Sequence, residues 1–150
     1  DTTSMWKYHP DNSSKEAWKD LCVTLGPALT LAQENNLILA FEPETSNVVS
    51  NAKKGRQLLD EMKSPHLKVT IDGANLFTPE TLSKQQEVFD EVFELLGSDI
   101  VLAHAKDINA EGEFVAVGKG AVNYEIFTRH LKQINHQGAV VLHSLSEAEV

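Results

Sequence analysis

The chain has 150 residues, 41% of them hydrophobic, which supports the core of one ordinary domain and excludes wholesale disorder. A formal net charge of −9 and a pI near 5.0 oppose binding to a nucleic-acid backbone or to an anionic membrane surface, both of which select clustered Lys and Arg. The single cysteine, Cys22, excludes an internal disulfide framework, no apolar run approaches a transmembrane length, and the opening DTTSMWKYHPDN lacks the regions of a signal peptide, so a cytoplasmic setting is the default expectation.

Residues 1–12 are polar, carry Pro10 and read as loop; Trp6 and His9 lie in it. An Asp at position 1 and this loop-like start read as a piece of a longer chain. Ser13 with Glu16 three residues on forms a capping-box pattern. Behind it Trp18, Leu21, Cys22, Leu25, Leu29 and Ala32 fall at helical spacing, which places Cys22 in a core and not at a reactive position. Asn35-Asn36 closes that helix. Leu37–Phe41 is an unbroken apolar run and reads as a strand covered on both faces, ending on Glu42. A helix through Arg56, Leu58, Leu59 and Met62 stops before Pro65. Leu67–Ile71 is a second buried strand, ending on Asp72. Pro79–Leu96 reads as one long amphipathic helix with Val88, Phe89, Val92, Phe93 and Leu96 on its apolar side. Ile100–Ala103 is a third strand, ending on His104. A turn with Gly118 and Gly120 leads to a helix over 123–135, and Ala139–Leu142 is a fourth strand, ending on His143.

Strands that alternate with helices every thirty to forty residues give βαβ units and a parallel sheet. Right-handed crossovers then set every strand's carboxyl end on one side, which is where α/β proteins bind ligands. Glu42, Asp72, His104 and His143 each occupy the first polar position after a buried run, so four strands deliver Glu, Asp, His and His to one rim. Carboxylates with imidazoles are a ligand set for a divalent ion such as Mn²⁺, Mg²⁺, Co²⁺ or Zn²⁺, and such an ion also offsets the cost of collecting like charges.

FEPETSN, VTIDGANLF, VLAHAKD and the Gly118-x-Gly120 turn followed by Val122-Asn123-Tyr124 resemble, in order and across nearly the whole chain, the xylose isomerase-like TIM barrel family of sugar phosphate isomerases and epimerases. The resemblance implies a (β/α)₈ barrel of which residues 1–150 supply the second half, strands five to eight, with the first half absent. It implies a divalent metal held by Glu, Asp, His and Glu from those strands, of which Glu42, Asp72 and His104 match the first three. The fourth position holds His143 in place of the usual glutamate, so a proton relay through two glutamates is altered, with Glu42 and His143 left as the proton-handling pair; an imidazole titrates near neutrality and suits that task. Glu147 lies past the strand end and reads as a cap or surface residue. Asn75 stands three residues after Asp72, where relatives often have a substrate-holding His, and Asn75 hydrogen-bonds without titrating.

The function implied is metal-dependent isomerisation or epimerisation of a sugar, sugar phosphate or related polyol. The alternatives are a catalytically silent barrel fragment that only binds a ligand or partner, and a metal-dependent endonuclease of the same barrel family, which the acidic charge opposes. Half a barrel leaves sheet edges and an apolar inner face open, so the chain is either a fragment or a half that pairs with another copy as a homo-oligomer. Lys106 points to the His104 side and either neutralises a substrate oxygen or phosphate, or pairs with Asp107 or Glu44. Glu44 stands behind Glu42 on the same side. Asn47 reads as the cap of the next helix in preference to a substrate contact. The two glycines read as a turn and not a phosphate loop, and His66, His130 and His136 read as solvated.

Overall fold

The structure, a computed structural model, describes residues 7–147; the expectation for Trp6 lies outside them. A short 3₁₀ turn over Pro10–Ser13 precedes helix α1, Lys15–Glu34. The cap is Ser14, one residue later than the capping-box pattern placed it. Its hydroxyl accepts from the Ala17 amide at 3.1 Å, while the Ser13 hydroxyl donates to the Pro10 carbonyl inside the turn. Asn35 ends α1, and Asn36 takes the left-handed conformation (φ 53°) that Asn tolerates better than most side chains. Strand β1 is Leu39–Phe41, helix α2 is Ala52–Met62 and strand β2 is Leu67–Asp72. Asn51, not Asn47, caps α2, its side chain accepting from the Lys54 amide.

The expected long helix from Pro79 is shorter. Helix α3 is Gln85–Leu96, entered through a 3₁₀ turn at Leu82–Lys84. The Thr78 amide donates to the Thr81 hydroxyl at 2.8 Å, and that hydroxyl donates back to the Thr78 carbonyl, so a closed turn displaces the first helical turns. Strand β3 is Ile100–Ala105. A small antiparallel hairpin follows from β4, Asp107–Ile108, and β5, Phe114–Val115. Helix α4 is Tyr124–Gln133, capped by Asn123, and the last strand, β6, is Val140–Leu142.

The main sheet is four-stranded and all parallel, in the order β1-β2-β3-β6. β2 is the buried centre: Leu67, Val69, Ile71 and Asp72 are at most 1% exposed. Between β2 and β3 the ladder is irregular. Val69 pairs with Ile100, but Thr70 pairs with Leu102, so Val101 is an extra residue and Asp72 comes to face His104. Core packing centres on Phe89, which meets Phe77 edge-on at 5.2 Å and Phe127 at 5.5 Å between ring centres, all three with little or no exposure.

Two sequence expectations change here. Leu37 and Ile38 are 58% and 51% exposed and precede the strand, and all of β6 is exposed. Both outer strands are edges, with no strand beyond them among the described residues, so their apolar side chains lack the second cover that β2 has. His130 is buried, not solvated. It shares the inner face of α4 with Phe127 and Leu131, and its ring stacks on Phe93 at 4.9 Å and 13°. Cys22 is half-buried and packs against the core, and burial pushes its thiol up, as befits a structural cysteine.

Candidate functional site

The sheet sets its polar strand ends side by side. Because Asp72 is paired with His104 across β2 and β3, their side chains share a face. Glu42, one residue past β1, joins them. One ligand atom from each of Glu42, Asp72 and His104 lies within 4.8 Å of the others. His143 follows β6, its amide donating to the Ala105 carbonyl at 2.9 Å, and its ring centre is 4.8 Å from that of His104. His143 is exposed and stands at the edge of the cluster, not within it. All four line one cavity of about 200 Å³, together with Glu44, Asn47, Asn75 and Lys106.

Each acidic group is held differently. Asp72 is fully buried; its Oδ1 accepts from the Ala74 amide at 2.8 Å, while Oδ2 has no hydrogen-bond partner among the described residues. The nearest cation to Oδ2 is the Lys106 ammonium, at 3.7 Å. Glu42 Oε1 accepts from Asn75 Nδ2 at 2.6 Å, and Oε2 lies 3.3 Å from His104 Nδ1, close without hydrogen-bond geometry. Burial pushes the Glu42 carboxyl above the ordinary carboxylate range and the Asp72 charge adds to this, with His104, Lys106 and the Asn75 bond pulling the other way. Glu44 is buried and satisfied locally by the Ser46 hydroxyl and the Asn47 amide, which is where Asn47's side chain goes instead of capping α2.

Lys106 is 7% exposed and pairs with neither Asp107 nor Glu44. Its ammonium donates to Asn75 Oδ1 at 2.6 Å and sits 3.7 Å from the centre of the Phe114 ring. Asp107, adjacent in sequence, faces elsewhere. Oδ1 accepts from the amides of Ile108 and Val122 at 2.9 Å and Oδ2 from that of Gly118 at 3.0 Å, so one buried carboxylate ties the end of β3 to the glycine turn. Gly118 has φ +80°, and a Cβ on Gly120 would overlap the Asp107 side chain and the Ile108 carbonyl, which explains a glycine at both places. The Tyr124 hydroxyl donates to the Lys106 carbonyl; burial first, then the charges of Asp72 and Asp107, push its phenol far up, so it stays a donor. From sequence Asp107 enters only as a candidate partner of Lys106 and Tyr124 only as part of the glycine-turn motif, neither with the role it has here. The signals were there, an Asp directly after a strand-end Lys and a Tyr behind a helix cap, but their partners are remote.

A divalent cation fits this place. The cluster offers carboxylate and imidazole donors, and two of its buried atoms, Asp72 Oδ2 and His104 Nδ1, lack hydrogen-bond partners among the described residues. A buried carboxylate oxygen left so costs several kcal/mol at the upper end unless something charged meets it.

Parallel strands separated by helices, with carboxylates and an imidazole gathered at their carboxyl ends, define an α/β protein with a candidate site on its strand-end rim. The chain belongs to the Xylose isomerase-like TIM barrel family, whose model matches residues 3–148. No curated protein matches the sequence. Among solved structures, the probable 3-DHS dehydratase AsbF involved in petrobactin synthesis from Bacillus anthracis is 17% identical with a TM-score of 0.71, over 91% of this chain and 54% of that one. A D-tagatose 3-epimerase-like protein is 18% identical with a TM-score of 0.71, over 90% and 52%. D-allulose 3-epimerase from Methylomonas sp., in complex with D-allulose, is 18% identical with a TM-score of 0.69, over 96% and 48%. At such identities the likeness is one of fold, and this chain spans about half the length of those structures. Among the described residues no helix is long and apolar enough to cross a membrane.

Proposed function

We propose that this chain supplies the second half of a (β/α)₈ barrel, strands five to eight, and with it the metal- and proton-handling rim of an isomerase or epimerase for a sugar, sugar phosphate or related polyol. The observation that carries the reading is the cluster of Glu42, Asp72 and His104, in which Asn75 fixes one Glu42 oxygen and two buried atoms lack hydrogen-bond partners among the described residues. Glu42, Asp72 and His104 would hold Mn²⁺, Mg²⁺, Co²⁺ or Zn²⁺, with His143 as the fourth ligand from the fourth strand. When bound, such an ion supplies positive charge that gathers neighbouring substrate oxygens and polarises a carbonyl.

The chain's own residues then divide the work. Glu42 takes the proton from the carbon beside the carbonyl, with its carboxylate oriented for that by the Asn75 hydrogen bond. Lys106 places a buried positive charge near the oxygen that gains electron density. His143, at the far side of the His104 ring, returns a proton. The remaining wall of the pocket comes from the other half of the barrel. A formal net charge of −9 favours a small-molecule ligand over a nucleic-acid backbone or an anionic membrane surface.

The test is exchange of substrate C–H for solvent deuterium by the Mn²⁺-loaded protein that carries this chain, followed by NMR over a panel of ketoses, their phosphates and inositol-like polyols. Exchange that Glu42→Gln abolishes is the expected result. Saturating Mn²⁺ binding with no exchange on any member of the panel would favour the second reading, a binding-only barrel, for which the histidine at position 143 is the specific ground.

A further inference from the structure

Asn75 is 3% exposed, and both ends of its side-chain amide already hold a partner. Nδ2 donates to Glu42 Oε1 at 2.6 Å, and Oδ1 accepts from Lys106 Nζ at 2.6 Å. The backbone carbonyl of Asn75 also accepts from the Thr45 amide at 3.1 Å, which fixes the residue from behind. One N–H and one lone pair of the amide stay unused, but at 3% exposure the residue presents little surface to a substrate in the cavity it lines. It is also directional. The Lys106 end requires an acceptor and the Glu42 end requires a donor, and Asn presents one of each at the right separation. Asp in this place would accept from Lys106 but turn an oxygen on Glu42. Leu, of similar size, would satisfy neither.

Without this bridge, Glu42 would be held only by its approach to His104, and the Lys106 ammonium only by Asp72 at 3.7 Å and the Phe114 ring. The ammonium, already 3.7 Å from Asp72 Oδ2, would then be drawn to hydrogen-bond that oxygen, which the metal reading assigns to the ion. We propose that Asn75 is a positioning residue of this site: it locks the Glu42 carboxylate in its orientation and holds Lys106 off Asp72, and it does not hold substrate. The inference rests on the metal-site reading above for its consequence, and on the two hydrogen bonds for its geometry. A neutral imidazole donates through one nitrogen and accepts through the other, so Asn75→His preserves both directions of the bridge whereas Asn75→Leu removes both.

The experiment uses the protein that carries this chain, with two probes. The first is the side-chain amide signal of Asn75 in ¹⁵N NMR without metal. Slow exchange of its protons, and displacement of the signal by both Glu42→Gln and Lys106→Met, is expected. A signal in fast exchange, or one that D-fructose moves and those two substitutions do not, overturns the proposal. The second probe is Mn²⁺ alone, with the Co²⁺ absorption spectrum as a signature of ligand geometry. Asn75→Leu should weaken Mn²⁺ binding by ~10–100-fold, the usual cost of losing a group that orients a ligand, and change the Co²⁺ spectrum. Asn75→His should lose much less than this ~10–100-fold and keep the parent's Co²⁺ spectrum, since both directions of the bridge are preserved. Equal Mn²⁺ affinity in parent and Asn75→Leu overturns it. Should the parent itself bind no Mn²⁺, the metal reading falls, and the amide signal alone decides whether Asn75 bridges Glu42 and Lys106.

Discussion

Asp107→Ala tests whether the rim is built on one buried carboxylate. Asp107 is 1% exposed and accepts from the amides of Ile108, Val122 and Gly118. Ile108 and Val122 are themselves 3% and 8% exposed, so water does not readily replace the lost acceptor; Gly118 is exposed and can be solvated. Two stranded buried donors at ~1–3 kcal/mol each give a loss of about 4 kcal/mol. That is a large share of a stability of about 5–15 kcal/mol. With a urea m-value of ~2 kcal/mol/M, the midpoint of unfolding should fall by about 2 M with the slope unchanged. Asp107→Asn keeps the acceptor that Ile108 and Val122 use but turns an NH₂ toward the Gly118 amide, and should cost less, ~1–2 kcal/mol. Urea unfolding followed by circular dichroism measures both. If Asp107→Ala stays within ~1 kcal/mol of the parent, the three bonds do not hold the turn, and the account of the rim is wrong.

The other predictions concern the site and the core. In the absence of metal, Glu42→Gln should raise the melting temperature at pH 8, with the gain shrinking toward pH 4. A carboxyl whose folded pKa is raised contributes stability below its unfolded pKa and loses it as pH rises through the folded value, and Gln cannot ionise; a variant less stable than the parent at pH 8 would contradict this. Mn²⁺ at a hundred times its dissociation constant should stabilise the parent by about 2.7 kcal/mol in thermal melts, with the effect lost in Asp72→Asn and His104→Ala. His143→Ala should lower Mn²⁺ content as well, and unchanged content would leave His143 as a rim histidine without a ligand role. Phe89→Ala removes the ring on which Phe77 and Phe127 converge and should cost ~3–5 kcal/mol in urea unfolding; a loss below ~1 kcal/mol would mean the core closes over the gap.

What the sequence made legible depended on how local its cause was. β2 was readable because Leu67–Ile71 is buried on both sides and its end, Asp72, is fixed by the alternation of the strand itself. That Glu42, Asp72 and His104 reach one rim follows from parallel strands, while the facing of Asp72 and His104 depends also on the extra residue Val101, which no local pattern marks. The start of α3 was not readable, because the turn that displaces it is closed by Thr78 and Thr81, whose hydroxyl competes with the helix from outside the apolar pattern. The cap of α1 moved by one residue because Ser13 was already spent on the Pro10 carbonyl. His130 looked like a surface residue until α4 was seen to face Phe93 with it. Of the two readings of Lys106, the pairing with Asp107 or Glu44 fails for a general reason. Asp107 is its neighbour in sequence but points to the glycine turn, while Asn75, thirty-one positions away, is its neighbour in space.

The extra residue in β3 gives the sheet a one-sided response to changes in length. Val101 has no counterpart in β2, and the strands fall back into step above it, at Thr70 and Leu102. A deletion at Val101 would let the ladder run evenly from Val69 to Asp72 and would still set Asp72 opposite His104. An insertion at the same point would put a second unmatched residue into the ladder or slide the strand by one, and a slide sends the imidazole to the opposite face of the sheet. Drift in the length of this strand is therefore buffered in the shortening direction only. A designer moving these rim residues onto another barrel would have to count residues from the Asp72–His104 pair downward, not from the helix upward.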